Sequence, residues 1–230
     1  MWVDYQAMPV YKAVGGVKIA VDALVKIVIN DRLAAEVVAN PEDLEDLGIG
    51  YAYSEGFISD LGDVAEVRVT GDEVRLWIKR SVDGTVRRLE DCGMGHLLKA
   101  VRGGGAVDVE YMKRLAGDFT KLTIWHVDPH LAMHTSALYL NGDWLVVHDT
   151  SRHSGVIKLI GKYLRRGGAG VRIAFTTGRV SSDMVYRLAT IGVHGIVSLR
   201  GPLYSGLEAA CRLGIPLVSN VRNTGFTRLC

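Results

Sequence analysis

The sequence predicts an α/β protein: a three-layer, at least partly parallel sheet in the C-terminal half, preceded by a β-rich portion that carries one early helix. Three observations lead there. Strand-type and helix-type segments alternate from about residue 143 onward. The N-terminal third instead shows short strand runs broken by turn dipeptides. With 48% apolar and 23% charged residues, a chain of 230 can bury a substantial core.

Taken in order, "LVKIVINDRLAAEVVA" alternates on either side of Asn30-Asp31, a dipeptide suited to a tight hairpin turn. "NPEDLEDLGIGYAYSEGF" reads as a helix, with Asn40 as cap, Pro41 at the first helical position and Gly56 at the close. Leu44, Leu47 and Tyr51 would line one of its faces. Runs at 64–70 and 73–82, then Asp83-Gly84 and a third run ending near Leu89, suggest a meander leading into Cys92. After a glycine-rich break at 103–105, helical segments extend to about Val127. "SALYLNGDWLVVHD" is a hairpin around Asn141-Gly142. Helices at 153–165, 182–191 and 204–213 then alternate with strands at 171–176, 195–199 and 216–221. The expected organisation is residues 1–105 as a β-rich portion and 106–230 as an α/β ligand-binding portion of one continuous unit.

A net charge of +2 gives no case for general nucleic-acid binding. The apolar run 17–29 is interrupted by Lys18, Asp22 and Lys26, so no membrane span is expected. With no secretory signal pattern and three cysteines that cannot all pair, the expected location is the cytoplasm. GxGxxG and GxxxxGK[ST] patterns are absent.

One feature occurs three times in the alternating half: a strand ends, a short loop carries an arginine, and a helix begins. The arginines are Arg152, Arg179 and Arg200. Ligands of open α/β sheets collect outside the carboxyl ends of strands, where helix N-termini favour anions. Three arginines there predict a polyanion, most simply a phosphorylated cofactor. Five of the seven histidines, His126, His130, His134, His148 and His153, fall within one stretch. Pro129 interrupts any continuous helix face among them and no CxxC accompanies them, so they are expected to line an anionic-ligand pocket, with no bound metal. Cys211, among alanines of "LEAACRLG", is expected in the core, and Cys230 is the last residue. Cys92 precedes a helix expected to start near His96 and has Arg87, Arg88, His96 and Lys99 close in sequence, which favours thiolate, while Glu90 and Asp91 oppose it.

These residues resemble the FdhD family, formate dehydrogenase accessory proteins that act as sulfurtransferases on the molybdenum cofactor. "NPEDLEDLGIGYAYSEGFI" is similar to the family's G-F-L-x-x-E-G helix through Gly50, Tyr51, Ala52, Glu55 and Gly56, and "AMHTSAL" keeps His134, Ala137 and Leu138 of T-G-G-x-H-x-A-A-L. "HDTSRHSGVIKLIG" keeps Asp149, Arg152, His153, Lys158 and Gly161 of E-D-V-G-R-H-N-A-x-D-K-x-x-G. "TTGRVSSDMV" keeps Gly178, Arg179, Ser181, Met184 and Val185 of T-S-G-R-x-S-x-E-M-V. "SLRGP" keeps Ser198 and Pro202, and "GIPLVSNVR" keeps Gly214, Ile215, Leu217 and Arg222 of the closing G-I-x-L-x-G-F-x-R.

The resemblance implies a cytidine-deaminase-like fold, a homodimer, and a persulfide on Cys92. Sulfane sulfur would come from a cysteine desulfurase and pass to the molybdenum, or tungsten, bis-molybdopterin guanine dinucleotide cofactor for formate dehydrogenase. It implies that His134, Arg152, His153, Lys158, Gly178, Arg179, Ser198 and Pro202 hold that cofactor, with Leu217, Val218, Ser219, Asn220, Val221 and Arg222 of the last strand. A guanine nucleotide such as GDP would be a partial mimic. The sequence departs where the family's C-G-x-C-G becomes Cys92-Gly93-Met94-Gly95-His96. One thiolate can still hold a persulfide. The alternative is a chaperone that binds the cofactor without moving sulfur. A nucleobase deaminase does not fit, since the H-x-E and P-C-x-x-C zinc motif is missing.

Overall fold

The structure is a computed structural model that describes residues 2–5, 8–80, 87–88, 107–220 and 225–230. Its N-terminal portion holds β1 (Val3–Tyr5), a ribbon of β2 (Tyr11–Val14) and β3 (Val17–Ala20), and the expected hairpin of β4 (Ala23–Ile29) and β5 (Arg32–Ala39). Asn30 and Asp31 take φ of 47° and 61°, the left-handed pair that a two-residue hairpin loop requires. The early helix α1 (Leu44–Ser54) starts later than the Asn40-Pro41 signal suggested, because Asn40 is not its cap. Asn40 is fully buried, and its amide is engaged by Val10 N, Val10 O and Val21 O at the base of the β2–β3 ribbon.

Strands β6 (Val64–Thr70) and β7 (Glu73–Ile78) pair around Gly71, and β8 (Arg87–Arg88) follows. The expected meander is corrected here: the sheet order is β6-β7-β4-β5-β8. The free side of β7 is taken by β4 in parallel, so β8 pairs with β5 at the opposite edge. Val74, Leu76 and Ile78, alternate residues of β7, point at α1.

The C-terminal portion contains α2 (Val109–Leu122), α3 (Ile124–Val127), β9 (His134–Leu140), β10 (Asp143–Asp149), α4 (Arg152–Arg166), β11 (Arg172–Thr176), α5 (Ser182–Thr190), β12 (Gly195–Ser198), α6 (Tyr204–Leu213), β13 (Leu217–Asn220) and β14 (Phe226–Arg228). Its seven-stranded sheet has the order β1-β10-β9-β11-β12-β13-β14. β9 is antiparallel to both β10 and β11, while β11, β12 and β13 are parallel. Hence β10 to β13 all end at one edge of the sheet, where β9 begins. On one face α2 packs Met112, Leu115 and Phe119 against Ala137, Trp144 and Phe175. On the other, α4, α5 and α6 pack Val156, Ile160, Met184, Leu188 and Ala210 into one core with Leu138, Leu145 and Ala174. The result is the three-layer mixed α/β arrangement that the alternation predicted.

The two portions interlock. β1 pairs in parallel with β10, and α1 lies against α4. A Cβ on Gly50 would stand 1.9 Å from Ile157 O, and one on Gly161 would stand 2.0 Å from Asp46 O, so the two helix backbones touch. This accounts for glycine at both motif positions. Helix α1 is therefore buried on more than the single expected face, including Ile49 and Ala52. Buried Arg187 of α5, to which the sequence reading assigned nothing, donates to Asp183, Ser54 and Glu55 and ties α5 to the end of α1.

Candidate functional site

The edge where β10 to β13 end collects the three arginine corners. Arg152 opens α4, Arg179 lies just before the Ser181 cap of α5, and Arg200 stands between β12 and α6. His134 opens β9 between the ends of β10 and β11. Its imidazole is held below the ordinary histidine value, first by burial and then by the positive charges of Arg152, Arg200 and Arg179, against an opposing pull from Asp149. Three loops, separate in sequence, thus lie within electrostatic reach of His134. A Cβ on Gly178 would lie 3.0 Å from Arg152 Cβ and 3.5 Å from His134 Nδ1, so glycine lets the corners approach. Arg179 and Arg200 are exposed and Arg152 is half-buried.

Beside them is a cavity of about 370 Å³ between Val37 and Val38 of β5 and the β10–α4 corner from Thr150 to Ser154, with His134 in its wall. Among the described residues, the buried Nδ1 of His134, Oγ1 of Thr150 and Oδ1 of Asn220 have no hydrogen-bond partner. Unmet polar atoms on an arginine-bearing edge suit a polar, anionic ligand.

The corners are braced from behind. Ser198 Oγ donates to Gly178 O at 2.8 Å and accepts Arg200 N at 3.0 Å. Ser219 Oγ donates to Arg200 O at 2.7 Å. Thr135 and Thr177 exchange bonds, Thr135 N to Thr177 Oγ1 at 2.9 Å and Thr177 N to Thr135 O at 3.0 Å. Ser198 and Ser219 were expected to touch the cofactor; both are fully buried and position the loops. Ser151 caps α4 through Ser154 N, and Ser181 caps α5 through Met184 N.

Lys158, expected at the cofactor, lies inside the fold. Its ammonium is fully buried, 2.7 Å from Asp149 Oδ2 and 2.8 Å from Asn40 O. Asp149 also receives Ser151 N and Asn40 N. Burial pushes the Asp149 carboxyl up, against the pull of Lys158 and these two N–H groups. His153 is buried too, with Nε2 3.1 Å from Ser181 Oγ, linking α4 to the cap of α5 while lining the cavity. Leu217 and Val218 belong to the two cores on either side of the sheet, which leaves Asn220 as the described residue of β13 with a polar atom at the edge. Pro202 is half-buried in the β12–α6 loop. Cys92, Val221 and Arg222 lie outside the described residues.

The histidines do not act as a set. His126 and His130 are exposed beside α3, where Asp128 is paired with Lys18. His148 is buried against Thr135 Oγ1, and desolvation lowers it to about 4. His134 and His153 alone of the five line the cavity. Among the described residues no group of three or more His, Cys, Asp or Glu is arranged to hold a metal, and no helix is long and apolar enough to cross a membrane. Cys211 is not in the core: the helix turns it outward, and it is bonded to Cys230. Sequence reasoning gave Asn40 a capping role only, since its partners Val10, Val21 and Lys158 lie far off in the chain. It missed Thr135 and Thr177, which signalled themselves only as hydroxyl residues at strand ends.

The fold and site define an α/β protein with three arginine-bearing loops at one strand edge. The FdhD/NarQ family profile matches residues 20–228. A sulfur carrier protein FdhD from Methanothermobacter thermautotrophicus is 28% identical over 222 residues, covering 91% of this chain and 88% of the relative. Another from Geobacillus kaustophilus is 25% identical over 232 residues, covering 91% and 86%. A crystal structure from Desulfotalea psychrophila, of a protein described as a formate dehydrogenase accessory protein, superimposes with a TM-score of 0.73 at 23% identity over 93% of this chain and 88% of that one; it shows the shared fold. This chain belongs to the FdhD/NarQ family.

Proposed function

We propose that this protein carries sulfane sulfur from a cysteine desulfurase, as a persulfide on Cys92, to the bis-molybdopterin guanine dinucleotide form of the molybdenum or tungsten cofactor for a formate dehydrogenase. The observation that carries the reading is the convergence of Arg152, Arg179 and Arg200 around His134 on one strand edge, a receptor for a ligand with several phosphates. The names of the relatives, sulfur carrier protein and formate dehydrogenase accessory protein, support the same role. The reading includes a cytoplasmic location, a homodimer and a cytidine-deaminase-like fold, the last supported by the mixed sheet with helices on both faces.

In the loading step the Cys92 thiolate attacks the outer sulfur of the donor persulfide. The donor's S–S bond breaks, its cysteine leaves as thiolate, and a new S–S bond forms on Cys92 without net oxidation. Arg152, Arg179, Arg200 and the Asn220 amide would hold the phosphates and guanine of the cargo, while Ser198, Ser219 and Thr177 keep the loops in place.

Incubation with a desulfurase and cysteine is expected to add one sulfur atom to the intact protein and none to Cys92→Ala. No gain, or an equal gain in the variant, overturns the carrier reading. The substitution of the second loop cysteine by Gly95 favours one rival, a chaperone that docks the cofactor only. GDP binding that survives Cys92→Ala, with no persulfide in the wild type, would establish it.

A further inference from the structure

We infer that Cys211 and Cys230 are a site of reversible oxidation, a disulfide that clamps the last strand of the seven-stranded sheet and lies away from the ligand-receptive edge. The two residues are bonded with their Cα atoms 5.4 Å apart across 19 positions, a span in the ordinary disulfide range of about 4.4–6.8 Å. Cys211 is exposed in the last turn of α6, where exchange reagents can reach it.

What the bond holds follows from the topology. Helix α6 begins at the arginine edge and ends at the opposite one, and β14 runs back antiparallel to β13, through Val218↔Arg228, Ser219↔Thr227 and Asn220↔Phe226. The cross-link therefore sits at the far edge. β14 is a three-residue outer strand with Thr227 and Arg228 exposed, so Phe226, half-buried against the α2-side core, is its one apolar anchor among the described residues. Closing the loop between Cys211 and Cys230 ties it to α6 as well. The strand it covers carries Ser219, which braces the Arg200 loop, and Asn220 at the edge. Since the chain has three cysteines, the pairing also leaves Cys92 as the single thiol.

The chemistry balances with a low-molecular-weight disulfide as oxidant. One protein thiolate attacks the reagent, forming a mixed disulfide and releasing one reagent thiol. The other then attacks the protein-bound sulfur, releasing the second. Two protein thiols are oxidised, the reagent is reduced to two thiols, and the two protons pass to them.

The test uses the full chain treated with oxidised glutathione or with a phosphine reductant. The oxidised form is expected to be lighter than the reduced form by about 2 Da. Under denaturing conditions it should take up one iodoacetamide label, against three after reduction, in line with the three cysteines. A peptide joining Cys211 to Cys230 identifies the pair. Amides of Leu217–Asn220 and Phe226–Arg228 should exchange at least about tenfold faster once the clamp is reduced, as local opening of an untethered edge predicts, and Cys230→Ser should behave as reduced in either condition. Three labels after oxidation, a cross-link that includes Cys92, or equal exchange in both forms would overturn the inference. None of these readouts depends on sulfur transfer.

Discussion

Lys158, in the middle of α4, and Arg179, in the loop between β11 and α5, carry the same charge, yet their surroundings are opposite. Lys158 is sealed under α1 and β5, paired with Asp149 and bonded to Asn40 O. Arg179 stands exposed beyond β11 and, with Arg152 and Arg200, acts electrostatically on His134. A buried cation with one good partner holds the fold together. An exposed one at a strand end contributes little to stability and is available for a ligand. Two basic residues that the same resemblance assigned to one ligand thus stand in different surroundings, and burial separates them.

Removing Lys158 should give the largest effect. Lys158→Met leaves the Asp149 carboxylate buried without its counter-charge, an expected loss of about 3–5 kcal/mol in urea denaturation. Arg179→Ala should stay within about 0.5 kcal/mol of wild type. Equal losses would erase the distinction between the two cations.

Titration sharpens it next. Burial lowers the His148 imidazole to about 4, against about 6.5 in an unfolded chain. Between those values the unfolded state binds more protons, so this contribution is full above about pH 6.5 and is lost as the pH falls to 4, by about 3 kcal/mol in all. His134 shifts in the same direction. Denaturant midpoints measured from pH 7 to 4 should fall for wild type and fall less steeply for His148→Gln; an unchanged slope would mean that this imidazole titrates alike in the folded and unfolded states.

The smallest change concerns the ligand. Arg152→Ala, Arg179→Ala and Arg200→Ala should each weaken GDP binding about tenfold in calorimetry, about 1.4 kcal/mol. The loss should shrink in high salt for exposed Arg179 and Arg200. A loss confined to one of the three would break the convergent reading of the edge.

The elements of this fold were mostly legible because their signals are local. Asn141-Gly142 makes the predicted turn, with φ of 50° and 104°, and the strand at 195–199 appears as Gly195–Ser198. The arginine corners were legible for the same reason, as strand end, arginine and helix start follow within a few residues. Pairing was less legible. The third N-terminal strand run could not announce that it would bypass β7 for β5, because a turn dipeptide specifies a reversal and not which sheet edge is free. At Asn40 a cap signal lost to three bonds with Val10 and Val21. At Cys211 a run of alanines suggested a buried face, but the helix turned that position outward while burying Ala209 and Ala210.

By itself the amino-acid sequence determined where the chain extends, coils and reverses, and that three cationic loops would follow strands, since short-range periodicity, capping and turn chemistry set these. Only the tertiary structure decided which charges would be buried and which would stand exposed together at one edge of the sheet. The Lys158 ammonium and the Asn40 carbonyl are 118 positions apart, and Gly178 reaches Arg152 and His134 through the order of strands in the sheet. Electrostatic roles depend on the solvent and partners around a group, and packing brings those together from distant parts of the chain.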